Sequence, residues 1–465
     1  MNYLEALAYL NELTKFGINL GLSRMERLLA VWGNPHQQLA CVHVGGTNGK
    51  GSVCAMVSSI LQAAGLKVGM FTSPHLESYT ERFQINGEVI PEAEVAQLIT
   101  ELRPHLEQMV AEGFEHPTEF EVNTALAFQY FHRAGVDLAV IEVGMGGDLD
   151  STNLITPLVS IITNVSLDHE RVLGHSLRDI ARTKAGIIKP KVPLVTAAEG
   201  EAWSVLRRVA RQLAAPVIRI LPGPPAQNEF RPPYRTVWLN AVQSRISGLP
   251  QPTAVRVMQG QTVSVRGLQR EYRDLWLPLL GEHQKINAAM AVAAIEVLRE
   301  QGLPINDADI YQGLQKTIWP GRLELVSQNP LIILDGAHNP AGARCLASFL
   351  GESFPDHRLV LVIGVLEDKN RDLIVQALAP LANEIIVTEP PGPRSGNWTE
   401  VARLAERYTD RVIIQDRLPD ALASGVELVQ KYQHNGQAAL LCVTGSLYLI
   451  AEARRILKGQ ERENI

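Results

Sequence analysis

Apolar runs and segments of helical period alternate along most of this chain. Short apolar stretches at Leu39–Val44, Lys67–Thr72, Asp137–Val143, Val159–Val165 and Pro193–Ala197 read as buried parallel strands. Between them lie helical patterns such as Ser52–Ala64, ended by Gly65, and Glu119–Arg133. This alternation predicts a parallel sheet with crossover helices. From about Ala215 to Leu280 the rhythm changes to Pro, Gly, Arg and β-branched residues. The short runs there (Thr236–Leu239, Ala254–Met258, Thr262–Val265) suit antiparallel strands, so a small β addition to the first domain is expected. A long alanine-rich helix, Asn287–Gln301, stops at Gly302. Past Trp319-Pro320-Gly321 a second series begins, with strands at Leu331–Asp335, Leu359–Ile363, Glu384–Thr388, Arg411–Gln415 and Ala438–Val443. Each is followed by a helical pattern, which predicts an open Rossmann-like sheet.

The segment from Val42 to Ser52, V-H-V-G-G-T-N-G-K-G-S, places a glycine-rich turn between a strand and a helix. That order suits a phosphate-binding loop: glycines let backbone N–H groups point inward, the helix N-terminus adds positive potential, and Lys50 supplies a cation. The match to G-x-x-x-x-G-K-[ST] is imperfect, since Val44 stands five before Gly49 and Gly51 separates Lys50 from Ser52. A flexible glycine loop with an incidental lysine is the alternative, and the strand–loop–helix order argues against it. The fold class expected is α/β. A P-loop-type parallel sheet domain with its β addition would occupy residues 1–317, a hinge 318–321, and a Rossmann-like carboxyl-terminal domain 322–465.

Bulk composition narrows the setting. At 465 residues, 46% hydrophobic and 20% charged, the chain can bury two sizeable cores. A net charge of −6 with no basic block gives no case for nucleic acid. The four cysteines form no C-x-x-C pair, and the apolar context of Cys41, Cys345 and Cys442 predicts buried thiols. Met1–Leu13 is amphipathic and carries Glu5 and Glu12, unlike a signal peptide, and no run of about 18 apolar residues occurs. A cytoplasmic protein with no membrane partner is expected. No heptad or apolar strip stands out, so a monomer is expected.

Glu142 ends an apolar strand, where an open α/β sheet places its ligands, and offers the hard oxygen that Mg²⁺ requires. A capped or paired carboxylate is the alternative. Ser52, close after the loop lysine, could reach the same ion.

Several motifs occur together in order: G-T-N-G-K-G-S at 46–52, F-T-S-P-H-L at 71–76, T-E-F-E at 118–121 and E-V-G-M-G-G at 142–147. L-D-H at 167–169, K-A-G-I-I-K-P at 184–190, G-E-H-Q-K-I-N at 281–287, W-P-G-R-L-E at 319–324 and D-G-A-H-N-P at 335–340 follow. On these the chain resembles the folylpolyglutamate synthase family of the Mur ligase superfamily over nearly its whole length. The resemblance implies an ATP-dependent ligase that adds L-glutamate to a pterin carboxylate, dihydropteroate or a reduced folate, through an acyl phosphate. It implies Mg²⁺, with K⁺ as a further candidate.

The resemblance also assigns roles. Thr47, Asn48, Gly49, Lys50, Gly51 and Ser52 would hold ATP with Asn287, Arg322 and Asp335, and closure of an interdomain cleft would complete the site. Ser73, Glu142 and His169 would hold the metal with Ser52. Asn287 could instead be the N-cap of its helix. His338 could help place glutamate or phosphate, or could partner the N-cap of the next helix. Lys184 reads by itself as a solvated basic helix end; in the family the matching lysine is carbamylated, which requires a neutral amine. Gly21, Leu22, Ser23 and Arg24, then Thr118, then Leu149, Asp150 and Ser151 would line the pterin site. Glu119 stands where relatives often have an aromatic. Phe71, Tyr79 and Phe83 could line a flat-ring pocket or pack the core.

Two other readings stay open. One is a Mur-type ligase acting on another acceptor, although the 44 residues before Gly45 are few for the extra domain such enzymes carry. The other is a nucleotide-binding protein without the chemistry, which the joint presence of Lys50, Ser73, Glu142, His169, Lys184 and Asp335 argues against.

Overall fold

The computed structural model describes residues 1–17, 19–223, 235–239, 260–392 and 394–463. Among the described residues two sheets form, one of eleven strands and one of six. The first is centred on Cys41–Gly45, which pairs in parallel with Leu138–Glu142 on one side and Val159–Ile162 on the other. Val44 lies level with Glu142 and Gly45 with Ile162, so three strand ends open at the same edge. Val68–Phe71 extends the sheet beyond Leu138–Glu142, followed by the small antiparallel strands Phe83–Ile85 and Glu88–Val89. On the other side Leu194–Thr196, Val217–Leu221 and Arg235–Leu239 continue in parallel.

The expected β addition is not a separate unit. Gln261–Arg266 pairs antiparallel with Arg235–Leu239 and then with Glu271–Leu277, so the addition prolongs the main sheet. The expected strand at Ala254–Met258 lies outside the described residues.

Helices cover both faces. On one, the Lys50–Ala63 helix and the Glu282–Glu300 helix bury Val53, Met56, Val57, Ile60, Met290, Ile295 and Leu298 against the central strands. On the other, Glu119–Ala134, Glu92–Ala111 and the amino-terminal Tyr3–Leu13 pack around Phe71, Phe83, Phe128 and Phe131. Phe71, Tyr79 and Phe83 are buried in this core, so packing is their observed use. The Glu119–Ala134 helix starts on a capping box, with Thr118 Oγ1 accepting from Glu121 N and Glu121 Oε2 accepting from Thr118 N. Gly135, in the left-handed region, closes it.

The second sheet runs in the order Glu324–Gln328, Leu331–Asp335, Ala439–Thr444, Arg358–Ile363, Glu384–Thr388 and Val412–Gln415. It begins one strand earlier than the sequence pattern indicates, because Glu324–Gln328 is half-buried and antiparallel to its neighbour. The remaining pairs are parallel, with helices burying two apolar faces. No helix among the described residues is long and apolar enough to cross a membrane.

The Asp307–Gln315 helix crosses the Lys50–Ala63 helix so closely that a β-carbon on Gly313 would lie 2.3 Å from Ile60 Cα. Gly313→Ala should therefore push the two helices apart and cost about 1–3 kcal/mol of stability. Thermal unfolding would read this as a lower Tm, and an unchanged Tm would show that the contact can relax.

Candidate active site

The loop after Cys41–Gly45 turns where neighbouring atoms already fill the space of three β-carbons. A β-carbon on Gly46 would lie 1.9 Å from Thr163 Oγ1, one on Gly49 2.7 Å from Asn287 Oδ1, and one on Gly51 2.4 Å from the Trp319 ring. Gly46 and Gly49 also have φ of 136° and 84°, where L side chains are strained. Asn164 staples the turn: its Oδ1 accepts from Asn48 N at 3.0 Å and its Nδ2 donates to Asn48 O at 2.9 Å. The helix begins at Lys50, so its unpaired first-turn amides open onto the loop. Lys50 Nζ donates to Thr47 O at 3.2 Å, and Ser52 Oγ accepts from Gln284 Nε2 at 3.2 Å.

Asn287 is not an N-cap. The alanine-rich helix begins at Glu282 with Gly281 as its cap, one and a half turns before Asn287. The polar run Glu282–Lys285 hides that start in the sequence. Buried Asn287 donates to Gln284 Oε1 at 2.9 Å and packs on Gly49.

Beyond the loop, Glu142 is 4% exposed and accepts from Ser73 N at 3.1 Å through Oε2. Burial pushes its carboxyl pKa up, against the pull of Lys50, the Ser73 amide and Arg322. Lys184 is also 4% exposed and donates to Gly46 O at 2.9 Å, which overturns the reading of a solvated helix end. Burial first, and then Lys50, lowers its pKa to about 7. His169 has a φ of 51° and a pKa lowered to about 4 by burial and Lys369. Burial opposes ionisation of Asp168 beside it, yet Lys369 and His169 hold that carboxyl well below the usual range.

The second sheet supplies the facing wall. Asp335 Oδ1 accepts from Ala337 N and Oδ2 from Leu323 N, both at 2.9 Å. Arg322 Nη1 donates to Gly321 O at 3.2 Å, and its charge acts on both Asp335 and Glu142. The N-cap of the Pro340–Ser353 helix is Asn339, whose Oδ1 accepts from Gly342 N at 2.9 Å. His338 is free of that task. Its Nδ1 pairs with Gly336 O at 2.8 Å, and burial and Lys369 lower its pKa to about 4.

Asp150 holds the turn that follows Glu142. Its Oδ2 accepts from Met145 N at 2.9 Å, and its Oδ1 from Thr152 N and Oγ1 at 3.1 and 2.5 Å. His43, beneath it, pairs with Thr152 Oγ1 at 2.8 Å.

One cleft of about 1010 Å³ gathers these groups. It is lined by Thr47 to Ser52, Ser73, Thr118, Glu142, Leu149, Asp150, Ser151, His169, Lys184, Asn287, Arg322, Asp335 and His338. Gly21, Leu22 and Ser23 do not line it; Gly17, Asn19 and Leu20 do. Leu22 and Ser23 instead begin the Ser23–Ala30 helix, and Arg24 pairs with Glu121 at 3.1 Å while donating to Asn19 O at 2.7 Å. Cys345 is exposed at the cleft, not buried; Cys41, Cys54 and Cys442 are buried.

Residues 44–295 match the Mur ligase middle domain, and residues 321–447 match the Mur ligase, glutamate ligase domain. The dihydrofolate synthase/folylpolyglutamate synthase of Bacillus subtilis is 35% identical over 465 residues, covering 98% of this chain and 99% of that one. The chain belongs to the folylpolyglutamate synthase family of Mur ligases. The dihydrofolate synthetase of Saccharomyces cerevisiae is 32% identical over 94% of this chain and 98% of its own length. The folylpolyglutamate synthase of Mycobacterium tuberculosis, solved with ADP and AMPPCP, superposes with a TM-score of 0.86 at 32% identity, covering 98% of this chain and 99% of that one.

Two site features of this family member escaped the sequence reading. Asn339 Nδ2 donates to Asn48 Oδ1 and to Asp168 Oδ2, both at 2.9 Å, joining the second domain to the loop. Lys369 Nζ donates to Asp168 Oδ1 at 2.8 Å. Lys369 follows the end of the Arg358–Ile363 strand, so the rule that ligands bind at carboxyl strand ends could have marked it.

A lysine that titrates near 7 in the fold and near 10.5 when unfolded makes the unfolded chain bind more protons between those pH values. Stability should therefore rise with pH across that window. In CO₂-free buffer, Lys184→Met should flatten the rise seen in denaturant titrations between about pH 7 and 10. Parallel wild-type and variant profiles would show that Lys184 is an ordinary cation in the fold.

Proposed function

We propose that this chain is an ATP-dependent ligase that adds L-glutamate to a pterin carboxylate, converting dihydropteroate to dihydrofolate and extending tetrahydrofolate to polyglutamates. One observation carries the reading: phosphate-loop groups, the wall around Thr118 and Asp150, and the second-sheet residues Arg322, Asp335 and His338 all line one cleft. Family membership supports it, as do the names of the relatives.

A carboxylate is a poor electrophile, so the substrate carboxylate attacks the ATP γ-phosphorus and ADP leaves. The amine of glutamate then attacks the acyl carbon, and phosphate leaves through a tetrahedral intermediate. Catalysis is mainly positioning and charge neutralisation. Thr47 to Ser52 cradle the phosphates with backbone N–H groups, and Lys50 leaves Thr47 O to meet the transferring phosphoryl. Asn287 lies against the loop on the nucleotide side, and Arg322 and Asp335 hold the nucleotide from the second domain. His338, neutral with Nδ1 tied to Gly336 O, keeps Nε2 free to accept a hydrogen bond and so help place the incoming glutamate. Residues 318–321 act as the hinge on which the second domain closes.

The donor set fits Mg²⁺. Among the described residues no three His, Cys, Asp or Glu side chains converge as a metal cage. A single buried carboxylate with serine hydroxyls suits an ion that keeps most of its waters and shares phosphate oxygens. Glu142, Ser73, Ser52 and His169 would hold it, and the bound ion would neutralise phosphate charge. Lys184, with its lowered proton affinity, is set up for carbamylation, which would turn a buried cation beside Lys50 into an anion.

The test is ATP-dependent glutamate incorporation, run separately with dihydropteroate and with tetrahydrofolate. ADP release that needs neither glutamate nor a pterin acid would sink the reading. Glu142→Gln keeps shape but loses charge, so half-saturation by Mg²⁺ should rise at least about tenfold; an unchanged Mg²⁺ titration would give Glu142 a structural role. Lys184→Ala should lose most turnover and regain part of it with added small carboxylic acids, which can occupy the vacated space. Near-normal turnover without them would remove the carbamate from the scheme.

A further inference from the structure

Arg82 lines the cleft together with Thr118 and Phe120, its side chain 11% exposed. A guanidinium has five N–H donors. Among the described residues only Nε meets an acceptor, His75 Nδ1 at 3.0 Å. Glu119 Oε1 forms an ion pair with Nη2 at 3.6 Å, beyond hydrogen-bond reach, and already accepts from Tyr79 Oη at 3.1 Å and Asn123 Nδ2 at 3.2 Å. The Tyr79 ring centroid is 5.0 Å from the guanidinium carbon. A largely buried guanidinium ordinarily saturates its donors, because unmet ones carry a desolvation cost. Arg82 keeps an open fork, and it does so in the cleft wall.

Its backbone fixes where that fork lies. Thr72 N donates to Arg82 O at 3.1 Å, so Arg82 stands beside Ser73, whose own amide holds Glu142. Of the other cations lining the cleft, Lys50 donates to Thr47 O, Lys184 to Gly46 O, Lys369 to Asp168 and Arg394 to Tyr448 Oη at 3.0 Å, while Arg322 donates to Gly321 O and faces Asp335 and Glu142.

An open guanidinium fork selects planar, bidentate anions, above all carboxylates. The two proposed acceptors differ in this group. Dihydropteroate has one carboxylate, which is itself the reacting group. A folate ending in glutamate has two: the γ-carboxylate that reacts, and an α-carboxylate that stays charged beside it. Resting on the ligase reading above, we propose that Arg82 binds the α-carboxylate of glutamyl acceptors and favours folates over dihydropteroate.

The direct test compares tetrahydrofolate with its α-carboxamide, which keeps the reacting γ-carboxylate. The wild-type enzyme should prefer the acid by about 10- to 100-fold in kcat/KM, carried mainly by KM. In Arg82→Gln that ratio should fall to near one, and Arg82→Lys, which restores charge without the fork, should regain part of it. A general packing defect would slow both acceptors alike and leave the ratio intact, which would overturn the assignment. So would a wild-type enzyme that uses acid and amide equally well, a result that needs no variant to fold. Failure of the wild-type enzyme to add glutamate to tetrahydrofolate would instead overturn the ligase reading itself.

Discussion

The turn between the Cys41–Gly45 strand and the Lys50–Ala63 helix has no room for a β-carbon at Gly46, Gly49 or Gly51, and the neighbours that fill the space come from three separate elements. Thr163 directly follows the adjacent parallel strand, Asn287 lies in the Glu282–Glu300 helix, and Trp319 stands at the junction to the second domain. Close packing of this kind does not yield gradually. It fixes the direction of the loop amides and holds Lys50 where its charge acts on Lys184. The lowered proton affinity of Lys184 thus follows from a steric arrangement as well as from burial.

Charge at the site has the same origin. Glu142, Asp150 and Asp335 are buried carboxylates at or just past the carboxyl ends of parallel strands, and burial pushes each carboxyl pKa up. Asp150 and Asp335 receive backbone amides that hold them in one orientation. Glu142 receives a single amide, from Ser73. A buried carboxylate with so little support is costly in an empty fold, and it is the one of the three that the proposed reaction joins to a cation. Asp168 is the contrary case. Lys369 and Asn339 satisfy it across the cleft, and it stays firmly ionised, so its part is to join the domains.

Much of this was legible in the sequence because parallel strands buried on both faces are continuous apolar runs, and the site hangs from their ends. The apolar runs Leu331–Asp335 and Glu384–Thr388 coincide with the strands, and Glu142 stands at the end of its apolar run as it does at the end of its strand. What was not legible lacks local pattern. The start of the Glu282 helix is masked by the polar run Glu282–Lys285, of which Gln284 meets Ser52 of the loop. Cys345 lies among apolar neighbours but on the cleft side of its helix. Lys184 sits in a basic stretch, and only the fold brings Gly46 O to its amine across 138 residues. Asn339 and Asp168 are separated by 171 residues, and no spacing rule links them.

Those long-range contacts bear on how the two sheets work together. Asn339 caps its own helix through Oδ1 while its Nδ2 reaches Asn48 and Asp168, so one side chain ties the first turn of a second-domain helix to the glycine-rich loop. On the far side of the junction, Leu76 from the Ser73 segment packs into the apolar face of the second sheet, and Glu77 pairs with Arg454 of the last helix. Both segments that bear on Glu142, the loop with Lys50 and the segment with Ser73, are therefore held from the second domain as well as from the first. The Asn48–Asn339 pair and the Leu76 contact each join the first sheet's segments to the second, so both would be lost together if the two parts moved apart. Separation of the two parts would therefore loosen the segments on both sides of Glu142 together.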